Sequence, residues 1–181
     1  MTENDLAKTA PDVLILSGTV GAGKTAVSYA THDILSAKNI PHACLDLDCF
    51  SYSWPPLGAF NSDTVFDVLE KVWPVYMQKG ASKLILARVV ESESEIRRYS
   101  QVLKTQSITL IRVTASEEVR KSRLKKRELG ASLTWHLNRT TQLEKILEKL
   151  MIENFVITNE NRSVEHVAEE ALKLVKWLPE R

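Results

Sequence analysis

The residues most able to do chemistry begin at Gly18, where the chain reads GTVGAGKT through Thr25. Gly18, Gly23, Lys24 and Thr25 satisfy the pattern GxxxxGK[ST], and Gly21 adds freedom within it. Such a loop turns successive backbone N–H groups inward around phosphate oxygens. Its lysine reaches the β- and γ-phosphates of a nucleotide, and its hydroxyl residue ligates Mg²⁺. The nucleotide-binding set is therefore Gly18, Thr19, Val20, Gly21, Ala22, Gly23, Lys24 and Thr25, with Ala26 in the helix that follows. No NKxD sequence for reading guanine is present, so ATP is the expected nucleotide.

A second group reads Leu45-Asp46-Leu47-Asp48-Cys49-Phe50 at the end of an apolar run. On a strand, carboxylates two residues apart share a face. One can hold hydrated Mg²⁺ while the other accepts the proton of an attacking hydroxyl. The third apolar run has no terminal Asp, which makes Asp46 the expected metal partner. The aromatic, proline-rich stretch from Phe50 to Leu57 either walls an acceptor pocket, through Phe50, Tyr52 or Trp54, or forms a rigid connection. Arg88 interrupts the apolar run LILARVV, where an isolated charge is costly. It either pairs with Asp46 or Asp48 or anchors a polar acceptor.

A third group is the basic stretch RKSRLKKR from Arg120 to Arg127, followed by Gly130 as a hinge. Arg123 and Arg127, four residues apart, lie on one helical face. They can swing over bound phosphates, in a lid of about residues 123–136, and neutralise charge developing during transfer. Arg120 is a third, nucleotide-facing candidate. His136, within the same cover, is expected to be structural or substrate-facing.

The elements that must position these groups are short apolar runs alternating with helical spacing. The runs are Val13 to Ser17, His42 to Leu47, Lys83 to Val90, Ile108 to Thr114 and Phe155 to Thr158. They lack polar alternation, as strands covered on both faces do. The helices fall at Lys24–Lys38, Asp63–Lys79 (bent or broken at Pro74), Glu91–Leu103, Ser116–Glu128, Leu133–Met151 and Ser163–Trp177. Ser116 is the expected N-cap of the fourth. Strand–helix alternation implies an α/β fold with a parallel sheet, helices on both faces, and ligands at the carboxyl ends of the strands.

Composition limits the alternatives. The chain has 181 residues, 44% hydrophobic and 26% charged, with a formal net charge of +1. That suits one globular domain over residues 1–181 and gives no global pull toward nucleic acid or an anionic membrane. The apolar runs are too short to span a bilayer, and the first residues lack a secretory pattern, so a cytoplasmic protein is expected. Cys44 and Cys49 suggest neither a disulfide framework nor a zinc site.

Taken together, the phosphate loop, the DxD ending the second strand and the RxxxR after the fourth resemble the small P-loop kinases. These include the shikimate, gluconate, adenylylsulfate and nucleoside monophosphate kinases and the antibiotic phosphotransferases. The resemblance spans nearly the whole chain in strand–helix order. It implies a three-layer P-loop NTPase fold whose five-stranded parallel sheet runs 2-3-1-4-5, with the second-strand acids across a cleft from the phosphate loop. By the same resemblance Asp48 contacts the acceptor hydroxyl and Asp46 the hydrated Mg²⁺. Adenine sits between a lid arginine and the turn Thr158-Asn159-Glu160-Asn161. The segment from Phe50 to Leu57 matches no acceptor signature of that group.

The sequence thus predicts an ATP- and Mg²⁺-dependent kinase acting on a small-molecule hydroxyl or phosphate. The alternatives are an ATP-binding regulatory module and an antibiotic-resistance or sequestration protein, neither transferring phosphate. The expected catalytic residues are Lys24, Asp48, Arg123 and Arg127, with Thr25 and Asp46 at the metal. Arg120 and Asn159 complete the nucleotide site, and Asp48, Phe50, Trp54 and Arg88 form the acceptor site. The exposed helix faces carry no signal for oligomeric state.

Overall fold

The computed structural model describes residues 10–55 and 62–178. In chain order the elements are β1 (Asp12–Ser17), α1 (Lys24–Ala37), β2 (His42–Asp46), a 3-10 turn (Leu47–Ser51), α2 (Ser62–Gln78) and β3 (Lys83–Ala87). There follow α3 (Glu93–Leu103), β4 (Ile108–Thr114), α4 (Glu117–Arg127), α5 (Gly130–Leu150), β5 (Phe155–Thr158) and α6 (Val164–Leu174). All strand pairs are parallel, in the order β2-β3-β1-β4-β5.

Alternation within the central strands divides one apolar run between two cores. Val13 and Ile15 of β1, with Leu84 and Leu86 of β3, pack against Leu69 and Trp73 of α2 and Tyr99 and Leu103 of α3. Leu14, Leu16 and Ile85 face the other way, onto Val27 and Leu35 of α1 and Val167 and Leu172 of α6. The result is a three-layer α/β sandwich with the strands' carboxyl ends at one edge.

Three boundaries differ from the sequence expectation, each for a physical reason. Helix α2 runs unbroken through Pro74. An interior proline costs about 3 kcal/mol. Burial of Val65, Phe66, Leu69 and Trp73 along one face opposes it, at about 1.5–3 kcal/mol for each large apolar side chain. Strand β3 stops at Ala87, so Arg88 stands just beyond the sheet rather than inside it. Helix α5 starts at Gly130, three residues before the expected Leu133. Gly130, expected as a free hinge, is its first residue, with φ +55. Smaller shifts also occur where β2 ends at Asp46, α3 starts at Glu93 and α6 spans Val164–Leu174, while the expected cap is present: Ser116 Oγ accepts from the Val119 N–H and caps α4.

No helix among the described residues is long and apolar enough to cross a membrane.

Candidate active site

Strand register brings the chemistry together. Leu16 of β1 and Asp46 of β2 are both partners of Ala87 on β3. Ser17, Asp46 and Arg88 therefore leave the sheet at one level. The turn after β3 is tied to β1, because Val90 N–H donates to Ser17 Oγ at 3.0 Å.

The phosphate loop, residues 18–23, connects β1 to α1. Gly18 has φ +140, and a Cβ there would lie 2.2 Å from the Val113 carbonyl oxygen. Gly18→Ala should therefore destabilise the fold by about 3 kcal/mol or more, read as a lowered denaturation midpoint. Gly23 caps α1 in the left-handed region without a side-chain hydrogen bond. The first-turn N–H groups of α1 are thus left to whatever enters the cavity, which is the arrangement that binds anions. Thr19 Oγ1 is likewise buried without a partner among the described residues. Lys24 Nζ rests on the Thr19 carbonyl at 3.2 Å. Burial pushes the Lys24 pKa down, the Asp48 and Asp46 charges pull it back up, and Arg127 lowers it further.

The carboxylate pair is closer to this loop than a cleft-wide separation implies. Strands lie about 4.8 Å apart, so the end of β2 is about 10 Å from the end of β1. Helix α1 closes that gap by packing over β2 and β3. Thr25 Oγ1 donates to Asp46 Oδ2 at 2.7 Å, and Asp46 Oδ1 accepts from Asp48 N–H at 3.0 Å. One carboxylate thus joins the phosphate loop to the backbone of the second acid. Asp48 lies in the 3-10 turn that Asp46 caps, not on β2. The two-residue strand period therefore does not apply to it, although both acids line the same cavity.

That cavity holds about 1040 Å³, and Lys24, Thr25, Asp46, Asp48, Arg88 and Arg127 are among its walls. Pockets for one drug-sized ligand run roughly 300–1,000 Å³, so this cavity stands at the upper end of that range. Hydroxyl and carboxylate oxygens at Thr25 and Asp46 suit a hard divalent ion that keeps most of its water. No cluster of three or more potential metal-binding side chains occurs among the described residues. Mg²⁺ needs none, since it is commonly held by one or two protein oxygens.

Several expected contacts are made elsewhere. Arg120 is 4% exposed and does not reach the cavity. Its Nη1 donates to the Ala115 carbonyl at 2.8 Å and pairs with Glu144 at 2.7 Å, joining α4 to α5. Arg120→Ala should cost about 3 kcal/mol in chemical denaturation, as for a broken buried pair. ATP affinity of the folded variant should stay within about threefold, since helix-terminal phosphate donors are untouched. Asn159 is also buried, and its Nδ2 donates to the Ala22 carbonyl at 2.9 Å. It braces the loop from behind and is not offered to a base. Phe50 packs on the core beneath α2, and Trp54 is 91% exposed; neither lines the cavity. The stretch from Phe50 is described only as far as Pro55.

Arg123 lines the cavity, and it also clamps the phosphate loop. Its Nη1 donates to the Gly21 and Ala22 carbonyls at 3.2 and 3.1 Å, and its Nη2 to Asn159 O at 2.8 Å. Arg127 is more open and pairs with Glu128 at 2.8 Å. Of the two roles expected for Arg88, the pairing is with Asp48, at 3.7 Å; the side chain is buried, donates to Ser51 Oγ at 2.9 Å and also lines the cavity.

Sequence reasoning missed Glu91, Glu95 and Arg139, which line the cavity too. Arg139 of α5 is buried and ion-paired with Glu91, the two being 48 positions apart. No local pattern marks such a pair. The one available signal was a basic residue on the side of α5 that carries Leu143.

No protein-family model matches the chain, and no curated protein matches it. Solved structures do. A shikimate kinase from Acinetobacter baumannii in complex with shikimate superposes with a TM-score of 0.61 at 18% identity, covering 94% of this chain and 96% of that one. An APS kinase from Mycobacterium tuberculosis in complex with AMPPNP and APS gives 0.58 at 16%, covering 93% and 99%. The Deinococcus radiodurans tunicamycin resistance protein gives 0.59 at 16%, covering 91% and 95%. The chain shares the fold of these proteins, and of a sugar kinase from Janibacter and a gluconokinase from Sinorhizobium meliloti, with TM-scores of 0.62 and 0.60.

Proposed function

We propose that this protein is an ATP-dependent phosphotransferase that moves the γ-phosphoryl group of ATP to a small-molecule acceptor. One observation supports the reading: Thr25 bonds Asp46, which accepts from Asp48 N–H, so a second carboxylate stands beside the phosphate loop on the wall of the same cavity. A protein that only holds nucleotide has no use for the second acid.

In this reading the loop amides and Lys24 hold the phosphates, and Thr25 and Asp46 hold Mg²⁺. Held by these two residues, the ion would supply positive charge to offset that developing on the phosphates. Asp48 accepts the proton of the attacking hydroxyl, and Arg88 keeps its carboxylate turned toward the acceptor. Arg127 faces the cavity from α4 and stabilises charge on the transferring group, while Arg123 holds the loop in shape and adds its charge. The segment of about residues 123–136 serves as the lid, and the turn around Asn159 supports the nucleotide through the loop that it braces.

The test is Mg²⁺-dependent ADP release across a panel of metabolites and antibiotics, alongside calorimetry with ATP. Acceptor-dependent release is the expected result. ATP binding with no acceptor-dependent release from any member would leave a nucleotide-binding module instead. Failure to bind ATP at all would remove the basis for both.

A further inference from the structure

The acceptor half of the cavity has its own charge pattern. Two arginines stand there, and both are already committed. Arg88 Nη1 donates to Ser51 Oγ at 2.9 Å and faces Asp48 at 3.7 Å, while its Nη2 donates to Ser62 Oγ at 3.4 Å. Arg139 Nη1 donates to Gln142 Oε1 at 2.8 Å, and its Nη2 is paired with Glu91. An incoming carboxylate, sulfate or phosphate would compete with these acceptors for the guanidinium N–H groups. Displacement would leave Asp48 or Glu91 without its partner, and stranding a partly buried charge is costly.

The third acid removes what attraction remains. Glu95 lines the same wall, and its Oε2 accepts from Glu91 N–H at 3.4 Å. Burial raises its pKa, the Glu91 N–H lowers it, the Glu91 charge raises it again, and the Arg88 and Arg98 charges pull it down. A further anion placed here would meet Glu91, Glu95 and Asp48 beside Arg88 and Arg139, while Arg98 acts on Glu95 from outside the cavity, paired with Asp63, and Lys24, which acts on Asp48, serves the phosphate loop. Acid oxygens unused within the protein suit O–H and N–H donors instead. Beneath them the hydroxyl of Tyr99 is fully buried without a partner among the described residues, and the Arg88, Glu95 and Asp48 charges all reach it. Trp135, half-exposed and edge-on to His136, also lines the cavity.

We propose that the acceptor is a polyhydroxy compound carrying no anionic group, with an amine accommodated by Glu91 and Glu95. This rests on the phosphotransferase reading and narrows its acceptor to a hydroxyl of an uncharged or amine-bearing molecule. In the transfer, the acceptor oxygen bonds to the γ-phosphorus as the bond to the ADP oxygen breaks. The hydroxyl proton passes to Asp48, and ADP leaves with the electron pair of the broken bond.

The experiment uses matched molecules in three charge forms: glucose and myo-inositol, the amines glucosamine and streptamine, and the acids gluconate and quinate. Each is measured by ADP release with MgATP and by calorimetry with a non-hydrolysable ATP analogue bound. The uncharged and amine members are expected to exceed the acids by about tenfold or more in affinity or kcat/KM, the scale of one charged contact. Glu91→Gln, which releases Arg139, should narrow that ratio about tenfold. Glu95→Gln should narrow it as well while keeping both arginine pairs, so a folding defect in the first variant does not decide the matter. Equal or preferred use of the acids, or binding of no member, overturns the proposal. Binding of the amines without ADP release keeps the charge preference and removes the kinase reading. Release of ADP with gluconate or quinate in preference does the reverse.

Discussion

Replacing Lys24 with alanine should abolish measurable ATP binding and lower any acceptor-dependent turnover by about 10²–10³-fold, the scale for losing one preorganised charge at a phosphoryl site. The side chain is buried at the start of α1, within the charges of Asp46 and Asp48, and among the described residues its Nζ donates to a carbonyl of its own loop. Burial lowers its pKa, so holding the ammonium there is a cost that the empty fold carries until phosphates arrive. A second consequence separates a functional lysine from a structural one. Lys24→Met keeps the aliphatic stem and removes the desolvated charge, so its denaturation midpoint should match or exceed that of the parent while ATP binding is lost. Calorimetry and urea titration on the same sample decide it. Retained ATP affinity in the methionine variant would show that the loop amides alone hold the phosphates.

Asp48→Asn is the second large effect, and its signature is the reverse. The side chain is half exposed, so the fold should tolerate the change, and ATP affinity should remain within about threefold of the parent. Turnover with a true acceptor should fall by about 10²–10⁴-fold, the range for removal of a general base. Asp46→Asn makes the contrast, because Asp46 bonds Thr25 and caps the turn that carries Asp48. Its loss should raise the Mg²⁺ concentration needed for half-maximal turnover, whereas Asp48→Asn should leave that requirement in place. Turnover of Asp48→Asn equal to the parent would end its assignment as base.

Much of this layout was legible from residue order. The GTVGAGKT run between an apolar strand and a helix predicts a phosphate loop, because only glycine tolerates the backbone at Gly18 and only that context presents free amides. Alternating apolar runs and helical spacing predict the parallel sheet, since strands covered on both faces need no polar alternation. The reasoning faltered where a residue's partner is distant in sequence. Arg120 lies in a basic run that reads as a phosphate-facing surface, yet Glu144 and the Ala115 carbonyl draw it into the α4–α5 junction. Asn159 sits in the turn expected to meet adenine, but its amide is used on Ala22. Phe50 has the apolar area of a pocket wall, and the core beneath α2 claims that area first.

The carboxylate pair divides the two sources of information clearly. The types and proximity of Asp46 and Asp48 are sequence facts, and metal and proton chemistry follow from them by elementary rules. The distance to the phosphate loop is not. It arises because β3 inserts between β1 and β2 while α1 packs back across that insertion, setting Thr25 on Asp46. The sequence alone determined which elements form and where a glycine loop opens the first helix, since both depend on local backbone freedom and apolar spacing. Tertiary structure decided which arginines are used up by internal acids and which carboxylates stay open to an acceptor, because ion pairing depends on distances that only the packed helices set.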